Sequence, residues 1–204
     1  MDRTTVDQLL TTTRSVRKRL DLTRPVEAEV IQECLEIAIQ APNGGNQNRY
    51  HFIVVTDAAK RATIGAMYKR TYREYVLTRE QSRGVQESAG YLADHLGEAP
   101  VHIIPCVEGR VEDAGTFRQA TRYGSILPAA WSLILALRSR GLGTAWTTLH
   151  LHHEKEVAAL LGIPDDITQA VLLPVAYYTG TDFRPGQRIP ARSRTYWDTW
   201  GQLR

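Results

Sequence analysis

The sequence predicts one globular domain in which helices alternate with a few short buried strands. Its 204 residues are 43% hydrophobic and 23% charged, as is typical of a soluble chain that buries a full core. Segments with helical spacing of apolar residues alternate with runs of β-branched and aromatic residues, without repeats or low-complexity linkers. The uncharged stretch 124–137 is the longest of its kind and predicts the helix around which the other elements pack.

The first third of the chain predicts two helices followed by a strand. Apolar residues at i, i+3 and i+4 over 6–10 favour a short helix. Pro25 suits the first turn of a second helix, and Pro42 ends it. The apolar face of this second helix would consist of Val30, Ile31, Cys34, Leu35 and Ala38. After a loop rich in glycine and asparagine, residues 50–55 have the β-branched and aromatic content of a buried strand.

The middle third predicts two more helices and another strand. Asp57 can cap a helix that runs roughly from Ala58 to Leu77. A further helix covers about 85–96, and the apolar residues 101–105 follow as a strand. A loop to about Gln119 leads to the uncharged stretch.

The stretch 124–137 predicts a core helix. It is too short to span a membrane, and it is apolar on nearly every face, so protein must cover it all round. Charges resume at Arg138, Gly141 has the position of a helix C-terminal glycine, and residues 142–148 have the composition of a strand. A domain of this size seldom surrounds a helix completely. We therefore expect a second copy of the chain to cover part of it.

The last part of the chain predicts a short helix, a strand and a tail. Residues 153–161 read as a helix that Gly162 stops, and 170–178 is a strongly apolar strand. The tail from Gly180 onward contains two tryptophans, and a tail of this kind is expected to pack on another surface.

Charge and motifs exclude several classes of function. The net charge of +3, without a basic run interleaved with aromatics, argues against nucleic acid or membrane as a partner. No signal-peptide segment is present at the start, so we expect a cytoplasmic location, with Cys34 and Cys106 as reduced core thiols. Nucleotide-loop, nucleophile-elbow and zinc-protease motifs are absent. The histidines of 150–153 lack further ligands at metal spacing, which favours exposed imidazoles in a turn over a metal site.

Four segments of the chain, in order, resemble the nitroreductase family of flavoenzymes. Residues 13–17 (Thr-Arg-Ser-Val-Arg) are similar to its Arg-Arg-Ser-Val-Arg segment, and 41–52 to its Ala-Pro-Ser-Gly-Gly-Asn loop and the following His-Phe. The stretch 125–146 is similar to its Ser-Ile-x-Pro-Ala helix and Gly-Leu-Gly turn, and 188–190 to its terminal basic segment. The departures are Thr13 in place of an arginine, Asn43 in place of a serine, and Asn-Arg-Tyr at 48–50.

This resemblance implies the fold and the assembly. The expected fold class is α+β, a mixed and mostly antiparallel sheet flanked by helices. A single domain would cover 1–204, with 180–204 as an extension that packs on the partner subunit. The family forms homodimers with two flavin sites at the subunit interface.

The resemblance also implies which residues bind FMN. Guanidinium groups bind phosphate oxygens in pairs, so Arg14, Arg17 and Arg188 would hold the FMN phosphate, with a further hydrogen bond from Ser15. The loop of the other subunit would contribute Pro42, Asn43 and Asn46, and Ser125 aligns with a flavin contact. The strand end behind the isoalloxazine would consist of Trp146, Thr147, Thr148 and Leu149. Tyrosines 68, 72 and 75 could wall an acceptor pocket, but their spacing favours packing.

The implied function is that of an FMN-dependent oxidoreductase. It would take reducing equivalents from NADH or NADPH and pass them by a ping-pong mechanism to a nitroaromatic, quinone or similar flat acceptor. The flavin would supply the chemistry, so no catalytic side chain and no metal are expected. Two alternatives remain open: a specialised flavin oxidase or dehydrogenase of a dedicated metabolite, and a flavin-storage or redox-sensing protein with little turnover.

Overall fold

The computed structural model describes residues 2–76, 83–112 and 114–204. These residues form two compact units. The core unit is Ser15–Thr181, and the terminal unit combines Met1–Arg14 with Asp182–Arg204. Within the described residues, no helix is both long enough and apolar enough to cross a membrane.

The core unit is built on a five-stranded sheet in which every strand pairing is antiparallel. The strands are β1 (Tyr50–Val55), β2 (Val101–Glu108), β3 (Leu142–Thr144), β4 (Ile167–Gln169) and β5 (Leu173–Tyr177). They are ordered β1-β2-β5-β3, and β4 pairs with β2 beyond the end of β5. The predicted α+β class with a mostly antiparallel sheet is confirmed.

Helices flank this sheet and enclose the core. They are α2 (Ala28–Ala38), α3 (Ala58–Thr71), α4 (Arg83–His95), α5 (Thr116–Ser139) and α6 (Glu154–Leu161), while α1 (Arg3–Thr12) belongs to the terminal unit. The main cluster of buried side chains joins α2 and α5 to β2, β3 and β5. Both cysteines lie in the core as free thiols, as predicted, and burial raises the pKa of Cys106 to about 12.

Several predicted boundaries are wrong for identifiable reasons. α5 begins at Thr116, eight residues before the apolar stretch, because its first two turns are mostly polar. α2 begins at Ala28 with Glu27 as N-cap, so Pro25 lies before the helix. β3 spans three residues, and only Thr147 resumes pairing, through a bridge to Leu172. α3 ends at Thr71 in a π-helical turn, Tyr72–Val76, and the predicted end at Leu77 lies outside the described residues.

The apolar part of α5 is only partly covered by its own chain. Ile126, Leu133 and Leu137 are fully buried, but 41% of Trp131 is exposed. An exposed tryptophan on a core helix is compatible with a covering second copy. The homodimer stays a prediction.

The terminal unit consists of α1, a 3₁₀ turn at Ala191–Ser193 and chain without regular secondary structure, with a turn near 197–202. Asp2 caps α1 by accepting hydrogen bonds from the backbone of Thr4 and Thr5. The Arg204 guanidinium lies 4.3 Å from the ring centre of Trp197, and 87% of Trp200 is exposed. Packing of this tail on a partner subunit stays a prediction.

Candidate functional site

Two arginines converge in the terminal unit. The Arg14 side chain donates to the backbone carbonyl of Arg184 at 3.1 Å. A Cβ atom placed on Gly186 would lie 2.8 Å from Arg188 Nη1 and 3.0 Å from Arg14 Cζ, so both guanidinium groups approach the same point. Among the described residues neither arginine forms an ion pair with a carboxylate. Two adjacent cations without an acidic partner suit a bound dianion such as a phosphate group.

The segment Ser15–Arg17 is anchored to the sheet of the core unit. The Val16 N–H donates to the Thr144 carbonyl at 2.9 Å, which extends the pairing next to β3. The Val16 side chain is buried and lies 3.0 Å from a Cβ placed on Gly143. Glycine at 143 therefore permits the close approach of this segment. Ser15 is exposed and Arg17 is half-buried beside this anchor.

The segment that follows β3 is held in place by the hydrogen bonds of Thr147. Thr147 pairs through its backbone with Leu172, and its hydroxyl donates to the Tyr68 hydroxyl at 3.0 Å. Burial raises the pKa of Tyr68, while this hydrogen bond and the nearby charge of Arg17 oppose the rise. Tyr68 thus anchors the 146–149 segment, in which Thr148 is exposed and Trp146 and Leu149 are half-buried.

Tyr68 was predicted to be either a pocket wall or a packing residue. It is 4% exposed, and Tyr72 is 5% exposed, so the packing interpretation is confirmed for both. Tyr75 is about half exposed and lies with its ring centre 5.1 Å from that of His152. Sequence reasoning missed the contact between Tyr68 and Thr147, because no local spacing relates residues so far apart in the chain.

The glycine- and asparagine-rich loop is held against α5 by Ser125. The Gly44 N–H donates to Ser125 Oγ at 3.0 Å, and Ser125 Oγ donates to the Thr121 carbonyl at 2.8 Å. A Cβ on Gly44 would lie 2.9 Å from Thr121 Cγ2, so a larger residue would push the loop away. Ser125 therefore fixes the distance between this loop and the helix.

Within the loop, the asparagines support one another. Asn43 Oδ1 accepts from the Asn48 N–H at 3.0 Å, and Asn43 Nδ2 donates to Asn48 Oδ1 at 3.3 Å. Asn46 and Asn48 both have φ of 52°, a conformation that asparagine tolerates better than most residues. The unusual Asn48 thus braces Asn43, which leaves Asn43 one amide N–H for a ligand, while Pro42 is exposed.

A cavity of about 280 Å³ opens beside Gly44 and Ser125. Its walls are the 43–49 segment, the end of β2 and the first turns of α5. Three arginines line it, at positions 49, 118 and 122, against a single carboxylate, Glu108. The cavity is therefore positively charged at neutral pH.

The prediction of exposed imidazoles is wrong for His150 and for His153, whose side chain is only 13% exposed. His150 is fully buried, and neither ring nitrogen has a hydrogen-bond partner among the described residues. Burial lowers its pKa to about 3, and that of the buried His102 to about 4. A 3₁₀ turn, Leu149–His153, turns His150 inward, whereas the exposed His152 matches the prediction. The part of the chain that the structure describes contains no group of three potential metal ligands.

The predicted flavin residues thus fall into three groups. Arg14 and Arg188 converge in the terminal unit. In the core unit, Ser15 and Arg17 flank Val16, which pairs with Thr144 at the end of β3, the strand that leads to 146–149. The 42–46 loop lies with Ser125.

Comparison with known proteins agrees with the fold and the motifs. The model of the nitroreductase family matches residues 10–177. The chain is 28% identical over 199 residues to an NADH dehydrogenase of Thermus thermophilus, covering 90% of this chain and 91% of that protein. It is also 28% identical over 181 residues to a 5,6-dimethylbenzimidazole synthase of Rhodospirillum rubrum, covering 86% of this chain and 81% of that protein.

Solved structures show the same fold at lower identity. Iodotyrosine deiodinase bound to FMN and 3-iodo-L-tyrosine superposes with a TM-score of 0.73 at 22% identity, covering 94% of this chain and all of that one. The FMN-dependent nitroreductase NfnB of Mycobacterium smegmatis, in complex with NADPH, gives a TM-score of 0.71 at 17% identity, covering 96% and 99%. With the family model matched over most of its length, this chain belongs to the nitroreductase family.

Proposed function

We propose that this chain is an FMN-dependent oxidoreductase that takes reducing equivalents from NADH or NADPH and passes them to a nitroaromatic, quinone or similar flat acceptor. Membership of the nitroreductase family and the NADH dehydrogenase name of the Thermus relative support an oxidoreductase. FMN is named for iodotyrosine deiodinase and for NfnB, which share the fold. The acceptor class and the ping-pong order belong to the proposal alone.

The observation that carries the proposal is the convergence of Arg14 and Arg188 beside Gly186. Like charges repel, so such a pair without an acidic partner is stabilised when an anion binds. The FMN phosphate is a dianion and offers several oxygens to the two guanidinium groups. We assign Ser15 and Arg17 to the same phosphate on the strength of the family motif.

The other two groups of residues are proposed to hold the rest of the cofactor. Trp146, Thr147, Thr148 and Leu149 would lie behind the ring system, where the hydrogen bond between Thr147 and Tyr68 keeps the segment in place. In a homodimer, Pro42, Asn43 and Asn46 with Ser125 would approach the flavin of the partner subunit. The loop offers the spare amide N–H of Asn43 for a polar atom of the cofactor.

FMN, when bound, supplies hydride and electron transfer, so the protein's task is to bind, orient and exclude water. The side chains near the proposed site agree with that division. His150 is buried without access to a ligand, and Thr147 is 8% exposed and already hydrogen-bonded. Neither is suited to act as an acid or base. We therefore expect donor and acceptor to use one pocket in turn.

A dedicated metabolite is a second candidate for the substrate. The Rhodospirillum relative is named as a synthase of 5,6-dimethylbenzimidazole, and it is as similar in sequence to this chain as the NADH dehydrogenase is. The identity alone therefore does not favour a general reductase over an enzyme with one dedicated substrate. In the latter case a metabolite would reduce or oxidise the flavin without NAD(P)H.

Spectroscopy tests the proposal. The purified chain should show the absorbance of bound FMN, and anaerobic NADH or NADPH should bleach it rapidly. With menadione as acceptor, double-reciprocal plots should give parallel lines. A chain that binds no FMN would overturn the function. Bound FMN that neither nicotinamide reduces would favour the specialised enzyme or a binding protein, and intersecting lines would exclude the ping-pong order.

A further inference from the structure

The cavity beside Gly44 and Ser125 contains a charge and an aromatic ring that the proposed flavin contacts do not use. Both come from the first turns of α5. Phe117, Thr121 and Ser125 follow one another at intervals of four residues, and Arg118 and Arg122 form the neighbouring row. One face of the helix therefore presents a ring, a guanidinium group and a hydroxyl to the same space.

The three arginines of the cavity differ in how far they are engaged. Glu108 contacts His51 at 3.2 Å and lies 3.9 Å from Arg49, so the charge of Arg49 is partly neutralised. Arg122 donates to the backbone carbonyl of Arg110 and lies over Gly109. The Arg118 guanidinium makes no hydrogen bond or ion pair with any residue that the structure describes; only the backbone N–H of Arg118 is engaged, with the Gly115 carbonyl. Its charge is the one available to a ligand.

The aromatic ring is available as well. Phe117 is 83% exposed, the largest exposed fraction of any phenylalanine, and it lines the cavity. Covering such a ring with a flat apolar molecule is favourable, because apolar surface leaves water and rings stack in offset geometry. The volume of about 280 Å³ lies at the lower end of small-molecule sites, so it suits one or two rings and is too small for a whole dinucleotide.

We propose that this cavity binds a small aromatic carboxylate, with the ring against Phe117 and the carboxylate on Arg118. Guanidinium groups bind carboxylates through two parallel hydrogen bonds, which gives both charge and orientation. Asn43 and Ser125 line the same cavity, so the bound ring lies beside residues assigned to the flavin. The inference thus rests on the proposed function and names anionic aromatics as its preferred acceptors.

Equilibrium binding tests this inference without turnover. Isothermal titration of the purified chain, with FMN added, compares 4-nitrobenzoate with 4-nitrobenzamide, which have similar size and differ in charge. We expect tighter binding of the benzoate. Arg118→Gln should weaken the benzoate about tenfold and the benzamide less than twofold, because only the former loses a charged hydrogen bond.

Two further variants separate the contribution of the aromatic ring to binding from that of positive charge. Phe117→Ala should weaken both ligands by a similar factor, about three- to tenfold, since stacking is indifferent to the carboxylate. Lys155→Gln removes an exposed positive charge on α6 and should leave both affinities unchanged. Equal affinity of the unmodified chain for the two ligands, or equal losses in Arg118→Gln, would overturn the proposal. A dimer that dissociates on Phe117→Ala would assign the ring to a subunit contact instead.

Menadione reduction by NADH or NADPH on the same preparations keeps the two proposals distinguishable. Menadione is neutral, so its turnover does not depend on the carboxylate site. Turnover without charge-selective binding would overturn the inference and leave the proposed function intact. Charge-selective binding without turnover would leave the anion site in place and overturn the proposed function.

Discussion

The terminal unit and the core unit present their predicted flavin ligands in different ways. Arg14 and Arg188 are exposed, and the hydrogen bonds of their side chains run to backbone carbonyls of the same tail. Ser125 and Thr147 are 9% and 8% exposed, and each hydroxyl is hydrogen-bonded to another element of the core. Exposed charges can contribute ligand affinity without supporting the fold, whereas buried hydroxyls hold the geometry of the site. Ligand affinity and folding stability should therefore respond to different residues.

The largest expected effect is on stability and arises in the core unit. Leu133 is fully buried in α5, so Leu133→Ala should lower the free energy of unfolding by about 2–5 kcal/mol through lost burial and the cavity left behind. Urea unfolding followed by circular dichroism measures it. Leu203→Ala, at a half-exposed tail position, should change stability by less than about 0.5 kcal/mol. Equal losses of unfolding free energy in Leu133→Ala and Leu203→Ala would mean that the core unit and the terminal unit do not differ in their contribution to stability.

The next effect is on FMN affinity and arises in the terminal unit. Arg188→Ala should weaken FMN binding about tenfold or more, because a charged hydrogen bond contributes roughly 1.5–3 kcal/mol. Flavin fluorescence titration measures it, and unfolding of the FMN-free chain should change little. Arg192→Ala, an exposed position in the same tail, is the matched control. Unchanged FMN affinity in both Arg188→Ala and Arg17→Ala would refute the phosphate assignment.

Acid should destabilise the core unit through its two buried histidines. Their folded pKa values, about 4 for His102 and about 3 for His150, lie below the ordinary value of 6.5, so the unfolded chain binds protons first as pH falls. The two histidines therefore cost no stability well above pH 6.5. As the pH falls from there towards 4, the free energy of unfolding decreases by up to about 1.4 kcal/mol per pH unit for each histidine.

Unfolding by urea at pH 7 and pH 5 measures this loss. His150→Leu should make the difference between the two pH values smaller, because one of the two groups no longer titrates. A pH response identical in the unmodified chain and in His150→Leu would contradict the assignment.

The smallest effect concerns the junction of the loop with α5. Ser125→Ala removes the acceptor for the Gly44 N–H, and we expect a loss of about 0.5–1.5 kcal/mol in stability. FMN affinity should fall only a few-fold, since no charge is removed. Ser139→Ala, which loses a bond to the Ala136 carbonyl in its own helix, is the control for hydroxyl removal. A loss of FMN affinity larger than that of Arg188→Ala would reverse the roles given to the two regions.

Local sequence patterns correctly predicted those elements whose composition changes little along their whole length. β1 occupies residues 50–55, as its β-branched and aromatic content predicts. Gly141 follows Arg140, the C-cap residue of α5, and has φ of 77°, as a helix C-terminal glycine requires. The prediction was poorer where one element passes between environments. The first turns of α5 are mostly polar and contain no buried residue, so the apolar run marked only the buried part of that helix.

The sequence by itself determined the family, the alternation of helices and strands, and the candidate ligands, because these depend on residue types at fixed local spacing. Only the tertiary structure decided that His150 is buried, that Tyr68 meets Thr147, and that Arg14 and Arg188 converge beside Gly186. These facts depend on contacts between residues far apart in the chain. Such contacts form only after the elements pack, when burial and hydrogen bonding decide between orientations that local sequence leaves equivalent.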